Sequence, residues 1–175
     1  MELFSAKRLD SYEYIRREEM KACLKGLFES SNSKRPIVLK DPLSTVSLNV
    51  ISRMVLGKIY TDDDSSDEFK KMLDELFLLG GVLNIGDSIP WLDFLDLQGY
   101  IKRMKALSKR FDRFLEHVLD EHNERRRGVK GYVARDMVDV LLQLAEDPNL
   151  DVKLERNGVK AFTMVCHHFS FLYVV

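Results

Sequence analysis

Apolar residues return at three- and four-residue intervals through almost the whole chain, and that spacing removes most folds from consideration. Positions so spaced share one face of a helix, whereas a strand needs alternation with β-branched and aromatic enrichment, a combination no segment shows. The expected fold class is all-α. The 175 residues, 45% of them apolar, suffice for one sizeable core. Its 27 basic and 28 acidic side chains nearly cancel, to a formal charge of -1, and leave no overall footprint for nucleic acid. No apolar run reaches the roughly 18 residues of a transmembrane helix, so none is expected within this chain. Cys23 and Cys166 lack metal-ligand spacing and no secretory segment precedes them; a reducing compartment fits better than a disulfide framework.

The periodicity places a first helix from Ser11 to about Glu29, with Ile15, Cys23, Leu24, Leu27 and Phe28 as its stripe. Asp41-Pro42 marks the start of a second, which carries Leu43, Val46, Val50, Ile51, Met54 and Val55 and stops at Gly57. Ser65 and Glu68 match a capping box ahead of Phe69, Met72, Leu73, Leu76 and Leu79, and Gly80-Gly81 close that helix. Residues 84–99 read as an apolar loop, packed or membrane-facing. The longest stretch, Tyr100 to about Arg127, points Ile101, Met104, Leu107, Phe111, Phe114, Leu115 and Val118 inward, and spans about 40 Å. Asp136 can cap a short helix from Met137 to Ala145, and a last helix begins near Leu154.

Little in this order suggests catalysis. His117 and His122 lie five apart, about 140° in azimuth, unlike a two-histidine metal site on one helix face; both read as surface residues. His167 and His168 are adjacent and point apart, so no metal site is expected. Arg125, Arg126 and Arg127 read as a solvated helix end, and Asp10, Glu13, Glu18 and Glu19 as carboxylates facing water. No glycine-rich phosphate loop, nucleophile elbow or Cys-x-x-Cys is present.

Several phrases, taken in order, resemble the middle of plant microsomal cytochromes P-450, the haem-thiolate monooxygenases whose large group includes flavonoid 3'-hydroxylases. Phe4 to Leu9 followed by Ile15-Arg16-Arg17-Glu18-Glu19 is similar to the approach to that family's D helix. Residues 42–58, with Asn49, Arg53 and Gly57-Lys58, resemble its E helix. Phe69 to Leu79 matches the F helix, and Asn84 to Leu92, with Asp87 and Pro90, the F–G connection. Tyr100 to Arg127 matches the G helix, Asp136 to Leu142 the H helix, and Asn157 to Ala161 the start of the I helix.

The resemblance implies an incomplete helical part of the cytochrome P-450 fold over residues 1–163, followed by a divergent tail over 164–175. It implies haem, a lipophilic substrate, NADPH-cytochrome reductase as partner, and the cytosolic face of the endoplasmic reticulum membrane for a longer parent. Leu78, Leu79, Val82 and Leu83 would contact substrate from the end of the F helix, and Trp91, Leu92 and Phe94 would face the membrane. The oxygen-handling A-G-x-D/E-T segment and the haem-cysteine loop have no counterpart here, and Cys166 lacks that loop's surroundings. No catalytic residue, metal ligand or specific haem binding is therefore expected of this chain. The competing expectation is a non-catalytic helical interaction protein or an inactive truncated product.

Overall fold

The computed structural model describes residues 5–32, 36–59, 64–83, 96–148 and 153–172, of which 64–67 and 167–172 are described by backbone alone. Among these residues every regular element is a helix: α1 (Ala6–Ser11), α2 (Glu13–Ser31), α3 (Lys40–Leu56), α4 (Asp64–Gly81), α5 (Tyr100–Arg126), α6 (Met137–Ala145) and α7 (Arg156–Leu172). The all-α expectation holds. The Ser65 side chain of the proposed capping box and residues 84–95 of the apolar loop, with Trp91, Leu92 and Phe94, lie outside the described side chains.

Most helix boundaries follow from local chemistry. Gly57 ends α3 with φ 75°, a left-handed cap that costs a residue with a Cβ about 1–2 kcal/mol. Asp136, extended at φ -138°, accepts the Asp139 amide and starts α6. Asp96 plays the same part for α5, its two carboxylate oxygens taking the amides of Ile101 and Lys102 at 3.0 and 2.9 Å. At α3 the structure corrects the sequence reading. The helix begins at Lys40 after Leu39, and Asp41 forms no side-chain cap, because Pro42 sits within the first turn, where no amide partner is needed. The first predicted helix, Ser11 to about Glu29, is α2, and a short helix that the sequence reading did not place, α1, precedes it; the backbone turns at Tyr12, and Arg16 closes α1 by donating to the Leu9 carbonyl at 3.0 Å.

The chain divides into two compact units, residues 1–59 with 122–175, and residues 60–121. In the first, α3 packs against α2, α6 and α7, and α6 against α7. Met137 through Leu142 are all buried, so α6 is covered on every side, as its run of apolar residues requires. Leu48, Val55, Leu56 and Val159 join that core. On α2, Ile15 is buried but Leu24 and Phe28 are 58% and 69% exposed, against the predicted stripe. The reason is that α2 meets α3 along the line of Ile15 and Glu19, and Leu24 and Phe28 lie off that line.

That contact is ionic at its centre. Arg53 of α3 donates to Glu19 at 2.7 Å and to Glu18 at 2.6 Å, while Asn49 donates to Glu19 at 3.0 Å. Glu19 is buried, so one of the carboxylates expected to face water instead anchors the helix pair, while Glu18 pairs with Arg53 and stays 58% exposed. Burial alone would lower the Arg53 pKa; the bonds to both glutamates outweigh it and raise the value. In the second unit α4 and α5 run antiparallel, with Phe69 stacked on Phe114 at 4.6 Å and Glu68 and Glu75 paired with Arg110 and Arg103. Leu107, Phe111, Leu115 and Val118 are buried as expected, but Met104 is 39% exposed.

Arg53→Leu removes the one cation that pairs with Glu19 among the described residues and leaves that carboxylate buried; urea unfolding should show a loss of about 3 kcal/mol. The double variant Arg53→Leu with Glu19→Leu should recover most of it, and an Arg53→Leu protein of unchanged stability would contradict the ionic anchor.

Candidate functional site

Within the first unit, the densest polar cluster lies where the end of α5, the loop 128–135 and the start of α6 meet. Spacing puts it there. His122 follows Val118 and Leu119 by four and three residues, so the buried stripe of α5 carries the imidazole inward. Gly128 and Gly131, at φ 78° and 71°, turn the chain back. Asp136 then arrives at the base of α6 with its carboxylate against the imidazole.

His122 Nε2 donates to Asp136 Oδ2 at 3.0 Å, and both side chains are fully buried. The carboxylate only accepts, which fixes the proton on Nε2. Arg125 reaches the same oxygen at 3.5 Å, and the Asp139 amide donates to Asp136 Oδ1 at 2.9 Å. Asp139 Oδ2 accepts from the Tyr132 hydroxyl at 2.9 Å and the Arg135 amide at 3.0 Å. Burial, and then the bond to Asp139, raise the Tyr132 pKa. Gly57 crosses directly over Asp136, so closely that a Cβ there would collide with Oδ2.

His122 corrects the sequence reading that placed it, with His117, on the surface. His117 is 70% exposed, but His122 is not exposed at all. Arg125 and Arg126 are likewise tied, the latter to Glu146 at 2.6 Å, which leaves only Arg127 of the three as a plainly exposed end. His122, Asp136 and Asp139 bring one nitrogen and two carboxylate oxygens within 4.8 Å of one another, a spacing a metal ion could use. Three of the four carboxylate oxygens are already engaged by protein donors, with only Asp139 Oδ1 left over. The arrangement is that of a buried clasp between segments, closed to substrate.

The residues proposed from sequence to touch substrate sit at the end of α4. Leu79 is buried, Val82 is half-buried, and Leu78 and Leu83 are 52% and 91% exposed. The structure thus gives Leu79 to the core and leaves Leu78 and Leu83 free. A groove of about 450 Å³ between α2 and α3, lined by Cys23, Leu27, Ile37, Val46 and Asn49 among others, had no sequence signal, because it exists only once the two helices pair. Cys166 lies inside α7, and burial pushes its thiol up to about 11.

A family model described as Cytochrome P450 matches residues 1–166. The chain is 40% identical over 179 residues to Trimethyltridecatetraene synthase and 38% identical over 173 residues to Dimethylnonatriene synthase, both of Zea mays. It is 36% identical over 173 residues to Flavonoid 3'-monooxygenase of Petunia hybrida. These alignments cover 91 to 93% of the chain and 32 to 33% of the relatives. The chain spans about a third of the length of the curated relatives it matches.

The Cys166 shift has a pH consequence. The folded state holds the thiol protonated up to about 11, against an ordinary value of 9.0, so this contribution is intact below pH 9 and is lost as pH rises toward 11. Denaturant unfolding at a series of pH values should show a fall of the order of 1 kcal/mol across that window. Cys166→Ala should flatten it; an identical slope in the variant would mean that the thiol is not the cause.

Proposed function

Because this chain belongs to the cytochrome P450 family, we propose that it forms the helical part of a haem-dependent monooxygenase that hydroxylates a small lipophilic plant metabolite, with the end of α4 as part of the substrate lid. The observation that carries the lid is the exposure of Leu78 and Leu83, aliphatic side chains at a helix end that water alone gives no reason to keep uncovered. Leu79 and Val82 belong to the same proposed substrate-contacting group, Leu79 buried and Val82 half-buried. Trp91, Leu92 and Phe94 belong to the same proposal as the membrane-facing part of the following connection. Residues 164–175 remain, in this reading, a tail divergent from the family.

The oxygen chemistry is assigned elsewhere in the longer polypeptide. Haem bound by a thiolate supplies oxygen activation in such enzymes. The cysteines of this chain do not fit that ligand: Cys166 is buried within α7 with its thiol held protonated, and Cys23 lines the α2–α3 groove. What these residues contribute is a fixed scaffold in the first unit, through the Arg53 anchor and the Asp136 clasp, and in the second unit a helix end that meets substrate. An NADPH-cytochrome reductase partner and the endoplasmic reticulum membrane are part of the proposal for the longer protein. No helix among the described residues is long and apolar enough to cross a membrane.

The test uses the longer polypeptide co-expressed with a reductase and assayed on its lipophilic substrate. Leu78→Ala with Leu83→Ala should raise KM about fivefold or more, the loss expected from removing apolar contact, without loss of folded protein. Unchanged kcat and KM in a folded double variant would remove α4 from the substrate lid.

A further inference from the structure

The clasp buries two carboxylates with one imidazole, and their charges are not balanced. With His122 neutral, Asp136 and Asp139 are two anions, and Arg125 is the one cation the structure brings to them among the described residues. It reaches Asp136 Oδ2 only at 3.5 Å, and its side chain is 34% exposed. One negative charge is thus left over where water does not reach, and an uncompensated buried charge is costly. Asp139 Oδ1 marks the place. It is buried without a hydrogen-bond partner, while Oδ2 of the same carboxylate takes the Tyr132 hydroxyl and the Arg135 amide.

One atom each from His122, Asp136 and Asp139 lie within 4.8 Å of one another. An imidazole nitrogen with two carboxylate oxygens suits zinc, which takes four such ligands at about 2.0–2.2 Å. Calcium and magnesium fit worse, because they need six or more oxygens, waters among them, and both carboxylates are fully buried. The hydrogen bonds already present do not stand in the way: a carboxylate oxygen has room for two partners, and ligating carboxylates are ordinarily held by donors of their own. Only the His122 proton lies where the ion must go, and it is displaced as Nε2 becomes a ligand. Two tetrahedral ligands stand about 3.3 Å apart, so the 3.0 Å between Nε2 and Asp136 Oδ2 has to open by a few tenths of an ångström.

We infer that His122 Nε2, Asp136 Oδ2 and Asp139 Oδ1 form a zinc site, with a single water completing the set. The ion would supply the missing positive charge and tie the end of α5 to the start of α6 by coordination in place of one hydrogen bond. Arg125, half-way to solvent, would turn outward. The site is separate from haem and from the substrate lid.

The chain has four histidines, and His117→Gln, His167→Gln and His168→Gln together leave His122 alone. Stripped with a chelator and titrated with zinc in a calorimeter, this whole chain should bind one ion with a dissociation constant of about a micromolar or tighter. Nitrogen NMR of the isotope-labelled ring should show the Nε2 resonance move on binding. Adding Asp139→Asn, which keeps an acceptor for Tyr132, should weaken zinc at least about tenfold, the loss that removing even a partner behind a ligand causes. If that variant loses helix content by circular dichroism, the Nε2 shift in the single-histidine chain decides alone. Zinc that leaves Nε2 unmoved, no binding once the other histidines are gone, or a folded Asp139→Asn variant that binds as before would each overturn the site. So would a thiolate-to-metal absorption in the near ultraviolet when cobalt replaces zinc, which would put the ion at Cys23 or Cys166 instead.

Discussion

The Asp136 carboxylate is the point on which the first unit depends. It caps α6 through the Asp139 amide, accepts from His122 at the end of α5, reaches Arg125, and lies under Gly57 at the end of α3. Three segments distant in sequence are thereby fixed to one buried charged group. Such a group is costly to bury alone and stabilising only when its donors are in place, so it selects one arrangement of those segments over looser ones. Gly57 is needed twice over, for its left-handed φ and for the space its missing Cβ leaves to Oδ2.

A second polar contact works by the same physics. Arg53, Glu18, Glu19 and Asn49 join α2 to α3 across 30 or more residues of sequence. Since α3 ends at Gly57, one helix is anchored at its middle by Arg53 and at its end by the Asp136 clasp. Apolar burial drives these helices together, and the polar contacts fix which faces meet. The phrases that resemble the D, E and H helices of the cytochrome P450 family are the ones that contain these residues, so what reads as family signature here is in large part scaffold.

Much of this was legible in the sequence where the signal is local. Gly57, Asp136 and the long period of α5 gave helix ends and inward faces because capping and spacing act within a few residues. The burial of His122 was also written there, as a continuation of the line through Leu115, Val118 and Leu119, but its polarity and its five-residue distance from His117 drew the reading outward. Glu19 was harder to place: its burial requires Arg53 and Asn49 to arrive from another helix. The exposure of Leu24 and Phe28 was hidden for the same reason, since an apolar helix stripe does not say which part of it a neighbour covers. The periodic stripe of α4 includes Leu79, which is buried, and omits Leu78 and Leu83, which are exposed; family resemblance is what singles those two out.

The central claim is that His122 and Asp136 act as one unit in holding the α5, α6 and α3 ends together. A double-mutant cycle with His122→Ala and Asp136→Asn, followed by urea unfolding of the single and double variants, measures that directly. Each single change should cost about 2–4 kcal/mol, and the double variant should cost less than their sum by at least about 1 kcal/mol, because the second change removes a partner already lost. Strict additivity of the two losses would contradict the account.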